Sequence, residues 1–426
     1  MPTRQFHTSE IMEFAPALSR RALLGSLSAG ALVPPAAAQP ARSAAAQAAT
    51  VFTPPPVEPA RAPRIAELAL PAFADAHAIW GAIGRDDAGR IWVGVSAVNP
   101  GFSAHLMVVD PVSLQTRVQG AVLSALRRTG RYRRGEGQIK IHSKIIPADD
   151  GYLYFTSTDE EGEVDDGSAP PRWGSHLWRM RPPDGAWEHL LAVPEGLTCA
   201  GGFGGSIFAL GLWGHALYGF DTATRAVRRA VVGSVGGHMC RNLLVDRRGH
   251  AFVPRVRQAG PNAPLHADLI EFDPMLRQLA ATRLEHYSDD QTPSEAHGII
   301  GFTQLADGGM AFVTGVGHLY RIGPDGTVAT LGWMHPDGAS YTPSLFTWDG
   351  RAQVAGVGQR PGGKHEWLVF DLGRRTATRA ALDVDPGEGL LLYGSLTRDD
   401  TGGFWVAGRR RLPGRIYRPV LLRLQA

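Results

Sequence analysis

The segment Asp86-Asp87-Ala88-Gly89-Arg90-Ile91-Trp92-Val93 decides how this chain folds, because its pattern returns along the chain. An Asp/Gly turn leads into a short apolar strand that often carries an aromatic. Turn glycines fall at Gly89, Gly151, Gly214, Gly249, Gly309, Gly350 and Gly402. The strands after them read Ile91-Trp92-Val93, Leu153-Tyr154-Phe155, Leu217-Tyr218, Ala251-Phe252-Val253, Ala311-Phe312-Val313, Ala352-Gln353-Val354 and Phe404-Trp405-Val406. Glycine adopts positive φ without a Cβ penalty, so such a turn closes a tight hairpin. A third strand is expected at Leu106, Leu177, Leu269, Leu319, Trp367 and Leu421, with Leu217 in a shorter third unit. Repeats of this kind bury their apolar faces only against their neighbours, so the array has to close on itself.

The expected fold is therefore all-β: a seven-bladed β-propeller with four-stranded blades over residues 63–426. Six or eight blades are the alternatives. Residues 65–72 would add the outer strand to the last blade, beside a C-terminal strand at 420–424, so that the ring is closed by an N-terminal strand and no edge stays open. Gly 52, Pro 31 and 16 Phe, 10 Trp and 9 Tyr suit many turns and short strands.

Ahead of the repeats, Ser19-Arg20-Arg21-Ala22-Leu23-Leu24 sets a twin arginine before an apolar run too short to span a bilayer. Ala36-Ala37-Ala38 offers small residues for a peptidase. Residues 1–38 thus resemble a twin-arginine signal peptide, and 39–62, rich in Ala and Pro, read as a flexible tether. A periplasmic or secreted location follows, with no membrane association after signal cleavage. A net charge of +3 over 426 residues argues against a nucleic-acid partner. A monomer is expected. Cys199 and Cys240 form either one disulfide or two free thiols.

The innermost strand of each blade ends at its Asp/Gly turn, so residues about nine to twelve positions earlier should ring one mouth of the axial channel. That column holds His77, His142, His238 with Cys240, His297, Tyr341 and Tyr393, with Lys140, Lys144, Arg241 and Glu295 beside them. Histidines converging from four blades, among cations and phenols, mark this mouth as a functional site. A second set, His105, His176, His266, His318 and His365, tracks the start of the third strands and reads as structural. Charged loops over the same face include residues 126–134, Arg255, Arg257, Arg360 and Arg409-Arg410-Arg411; arginine forks suit carboxylates. The acidic run 159–166 lacks EF-hand spacing and reads as a plain loop.

Lys140-Ile141-His142-Ser143-Lys144 ahead of Gly151-Tyr152-Leu153-Tyr154-Phe155 resembles the inner strand of exported propellers related to polysaccharide (uronate) lyases. The resemblance implies β-elimination beside a uronic acid, with an acidic oligo- or polysaccharide as partner. On that reading His142 is base or metal ligand, and Tyr341 or Tyr393 is the acid. Lys144 and Arg241 neutralise the carboxylate. His77, His238, His297, Lys140 and Arg255 bind substrate. A divalent metal, Ca or Mn, would sit on His77, His142, His238 and His297. Two alternatives remain open: a non-catalytic periplasmic propeller that binds a ligand or protein, and a metal-dependent hydrolase or lactonase. The latter wants Glu, Asn and Asp around the channel, and only Glu295, Asn242 and Glu388 are near.

Overall fold

The structure, a computed structural model, describes residues 60–164, 168–212, 215–235, 238–260, 263–287, 298–347, 352–384 and 389–426. The expected signal peptide and nearly all of the expected tether lie outside these. Seven four-stranded antiparallel sheets form a seven-bladed β-propeller. From the axis outward, blade one is Ile83–Arg85, Ile91–Val95, His105–Val109 and Thr116–Ala121. Blade two is Ile146–Pro147, Leu153–Thr158, Ser175–Met180 and Glu188–Val193, and blade four opens with Leu244–Val245 and Ala251–Gln258. In blade seven, Leu390–Gly394, Phe404–Leu412 and Ile416–Gln425 are completed by Arg64–Glu67, which pairs Ile65 with Leu424. The N-terminal strand therefore closes the ring, as the repeat pattern requires.

The repeated aspartate does more than start a turn. Asp86 accepts the Arg90 amide (3.0 Å) and the Trp92 indole N–H (2.8 Å). Asp399 accepts the Gly403 amide (2.8 Å), the Trp405 indole (3.0 Å) and Arg423 Nε (2.8 Å). One carboxylate thus satisfies turn amides and anchors the aromatic that the next strand buries. Trp92, Trp178, Trp367 and Trp405 are fully buried. Trp92 joins Phe155 and Trp178 between blades one and two, and Trp367 joins Phe346 and Phe404 between blades six and seven. Each such side chain contributes about 1.5–3 kcal/mol on burial. Blades meet closely at the axis: a Cβ on Gly84 would lie 1.9 Å from the Ile145 carbonyl oxygen.

Two turn assignments differ from the sequence reading. Blade three turns first at Gly204 and Gly205 (φ 56° and 82°), between Leu197–Phe203 and Ser206–Gly211. Leu217-Tyr218 therefore lie on its third strand, Ala216–Asp221, and Gly214 lies outside the described residues. A second apolar strand between two glycine turns looks like the start of a new unit, which displaced the register. In blade five the positive φ falls on Gly308 (89°) rather than Gly309. Gly350 also lies outside the described residues. Part of the arginine-rich connection is not loop, since Val122–Arg128 is helical and buries Val122, Leu123, Ala125 and Leu126.

Candidate functional site

Short segments just ahead of the inner strands, together with the ends of two strands of blade seven, bring side chains from several blades to one mouth of the axis. Trp80 of blade one lies at the middle of the group. Its ring stacks on His142 (centroids 6.2 Å, planes 12° apart) and tilts against Tyr393 (4.5 Å). Lys140 Nζ lies 4.6 Å from the Trp80 centroid and the Arg409 guanidinium 5.1 Å. Arg409 also covers Tyr417 (4.1 Å) and donates from Nη1 to His77 Nε2 (2.8 Å). Arg241, from blade four, reaches across to lie 5.8 Å from the Tyr393 ring. Lys144 donates to the Gly81 carbonyl (2.9 Å). Gly81 has φ +86°, and a Cβ there would come 3.0 Å from Lys144 Nζ, so glycine makes room for the ammonium.

The electrostatics follow from cations held together in a partly dry site. Burial first, then Arg241 and Lys140, hold the His142 imidazole well below its usual pKa, so it is neutral near pH 7. Its Nδ1 donates to the Thr198 carbonyl (2.8 Å), which leaves Nε2 as the lone-pair nitrogen. His77 is lowered to about 4 by burial, Arg409 and Lys140. Burial and Arg241 pull Lys144 down to about 8, against an opposing contribution from Cys199. Burial raises the Tyr393 and Tyr341 phenols, which keeps them protonated. Lys140 pairs with Glu160. Lys144, Arg241 and Arg409 take no carboxylate partner among the described residues. Four buried polar atoms here have no hydrogen-bond partner: Trp80 Nε1, Arg241 Nε, Tyr393 Oη and Arg409 Nε. Unpaired donors of this kind cost free energy in the empty site and gain from an incoming acceptor.

The mouth thus brings together His77, His142, Lys140, Lys144, Arg241, Tyr341 and Tyr393. His238 does not join them. It is fully buried, with Nε2 against the Tyr287 hydroxyl (2.8 Å), Nδ1 against Ser234 Oγ (3.1 Å) and its ring stacked on His215 (4.6 Å). A slip of one position turns a side chain to the other face of a strand or its lead-in, which the column reading could not detect. Arg255 lies on the second strand of blade four opposite Asp268, and its Nη1 bonds Gln278 of the outer strand (3.4 Å). It faces outward rather than to the axis. His297, Glu295 and Glu388 lie outside the described residues. Asn242 spends its amide on the Ile299 and Ile300 carbonyls (2.9 and 3.0 Å).

A histidine-held metal does not fit the described part of this set. Both His238 nitrogens are engaged, and His77 Nε2 faces a guanidinium. Among the described residues, metal-type ligands gather only at Asp246, His250 and Glu271. There Arg248 bonds Glu271 Oε1 (2.8 Å) and Asp246 Oδ2 (2.6 Å), occupying the position a cation would take. Cys199 and Cys240 are buried free thiols. Of the second histidine set, His176, His318 and His105 are engaged within blades, with His189, Thr330 and the Ser103 carbonyl respectively.

Trp80, Tyr417 and Thr198 were not found from the turn spacing. Trp80 lies three residues beyond His77 in the same lead-in segment, so it was open to the same reading.

No protein-family model matches the chain, and no curated protein is similar to it in sequence. Solved structures are similar in fold. The U3-55K structure superposes with a TM-score of 0.50 at 11% identity, over 85% of this chain and 98% of that one. The extracellular domain of a hybrid two component system from B. thetaiotaomicron gives 0.50 at 12% identity, over 85% of this chain and 43% of that one. Identities this low carry the propeller architecture alone.

Proposed function

We propose that the protein is exported and that its axial mouth takes a carboxylate-bearing saccharide, a uronate glycan, and cleaves it by β-elimination. One observation carries the reading: among the described residues Lys144, Arg241 and Arg409 take no carboxylate partner beside the orphaned hydroxyl of Tyr393. An incoming carboxylate would supply the missing acceptor and charge. His142 Nε2 takes the proton α to the carboxylate. The electron pair left behind forms the new C=C bond as the β C–O bond breaks. Tyr393 gives its proton to the departing oxygen. The guanidinium and ammonium groups stabilise the enolate-like intermediate. Tyr341 stands beside Tyr393 and Arg241.

A non-catalytic saccharide-binding role is the second reading, favoured by Trp80, which stands between the proposed base and acid. The test is incubation of the mature protein with uronate oligosaccharides, read by the ultraviolet absorbance of the unsaturated product. Formation of that product, lost in His142→Ala, supports the lyase reading. Tight binding without product across a panel of uronate glycans refutes elimination and leaves the binding role.

A further inference from the structure

Blade two carries polar groups that the axial site does not use. A groove of about 410 Å³ is lined there by Arg131, Arg133, Arg172, Trp173, His176 and His189, among others. It opens on the same face as the axial mouth. Residues 131–138 run inward to Lys140, and the loop after the second strand ties the two places together: Glu160 pairs with Lys140, while Glu161 accepts from Arg172 Nη1 (2.9 Å) and Trp173 Nε1 (3.1 Å).

The arginines are held in place rather than trailing in solvent. The Arg172 and Arg133 guanidiniums lie 4.6 and 5.1 Å from the Trp173 ring, and Arg133 Nη2 also donates to the Trp173 carbonyl (2.6 Å). Arg133 Nη2 and Arg172 Nη1 are spent within the groove, and an anion would meet the remaining edge donors of each guanidinium. Arg131 has no carboxylate partner among the described residues. Of the three guanidiniums, Arg133 meets Glu136 (3.5 Å) and Arg172 meets Glu161 (2.9 Å), while Arg131 takes neither.

Beneath them runs a directed proton chain. Glu136, with a fully buried side chain, meets His176 Nε2 (3.1 Å), and His176 Nδ1 meets His189 Nε2 (2.9 Å). Burial would raise Glu136, but His176 and the Arg133 amide outweigh it and keep the carboxylate ionised. With a neutral His176 the carboxylate accepts from the proton on Nε2, and Nδ1 accepts from His189 Nε2. His189 is thereby left with a lone pair on Nδ1. Burial, His176 and Arg131 lower His189 to about 4, so the ring is neutral near pH 7.

We propose that this groove is a second binding site, for a monocarboxylated polyol such as one uronate unit: Arg131, Arg133 and Arg172 clamp the carboxylate, and His189 Nδ1 accepts from a neighbouring hydroxyl. The groove shares its ligand class with the axial reading but none of its residues, and it requires no chemistry at the axis. One acidic chain lying across the face would fill both.

Calorimetric titration of the mature protein with a galacturonate trimer, and with a neutral galactose trimer as control, tests this. The double variant Arg131→Ala, Arg172→Ala should weaken the acidic trimer by about tenfold or more. The axial variant Tyr393→Phe should leave that groove contribution in place. Arg131→Ala alone leaves the Trp173 stack whole and should show part of the loss with an unchanged unfolding midpoint. Loss in the double variant alone, with Tyr393→Phe silent, upholds the groove and removes the axial reading. Binding of the acidic trimer that is the same in the double variant as in wild type, or equal binding of the neutral trimer, overturns the groove.

Discussion

Replacing Tyr393 by Phe separates a ligand-binding hydroxyl from a structural one, because the two roles give opposite signs. Tyr393 is 5% exposed, and its Oη has no hydrogen-bond partner. A buried polar group left unpaired costs about 1–3 kcal/mol. Phenylalanine keeps the ring, and so keeps the contact with Trp80 at 4.5 Å. Removing the oxygen should therefore stabilise the ligand-free protein by about 1–2 kcal/mol, or about 1–3 °C in midpoint for a domain of this size. Toward ligand the sign reverses. Burial keeps the phenol protonated, so it donates to an anionic or leaving oxygen. A hydrogen bond to a charged group is worth about 1.5–3 kcal/mol, which corresponds to roughly 10- to 150-fold in affinity or rate. Urea denaturation without ligand gives the first number, and titration with a uronate oligosaccharide gives the second. A variant less stable than wild type that binds as tightly would refute the reasoning, for it would mean that the hydroxyl serves the fold.

Lys144 sets a pH dependence. Its ammonium is charged below about 8 and neutral above, so affinity for an anionic ligand should fall as pH rises through that value; Lys144→Arg should carry binding to higher pH, measured by titration across the range. Asp399→Asn should destabilise by about 3–5 kcal/mol in urea, because it removes the charge that pairs buried Arg423 (2.8 Å). The effect has a pH counterpart. Burial tends to raise Asp399, but Arg423, Thr401, the Gly403 amide and Trp405 outweigh it and lower its pKa. That stability is full above the unfolded carboxyl value, about 3.9, and is lost as pH falls through the lower folded value. Cys199 and Cys240 are buried, and burial raises both thiols. A thiol reagent should find neither in the native protein and both after unfolding in denaturant; rapid native labelling would contradict their burial.

The blades were legible because one residue pattern recurs and, in blades one and seven, answers to one physical job. Asp86 and Asp399 each bind turn amides and the indole six positions on, so the spacing from Asp to Trp is visible in the chain. Blade three broke the register because its turn at Gly204 and Gly205 carries no such aspartate. The site was legible only as a column. Spacing located His142, Lys144 and Tyr393, whose lead-in segments reach the axis at matching depths. It misplaced His238, whose partners Tyr287 and His215 come from neighbouring turns of the ring that no local spacing announces. Arg255 failed for a related reason: it lies on a second strand, and its guanidinium bonds Gln278 of the outer strand, away from the axis.

Ring closure explains why the axial mouth gathers unpaired charge. Arg64–Glu67 finishes blade seven, and the amide of Ile79 then bonds the Gly408 carbonyl (3.2 Å), next to Arg409. The same join sets Trp80 under the Arg409 guanidinium and Tyr393 against Trp80. Cations from blades two, four and seven are thus held near one another, since every blade is fixed by two others. In an open sheet Arg241 and Arg409 would turn to water. Here a closed framework holds them in place, so on the proposed reading a carboxylate entering the mouth would meet them with little reorganisation of the protein. The closing strand, remote from the mouth, is therefore part of what would let the proposed site hold an anion.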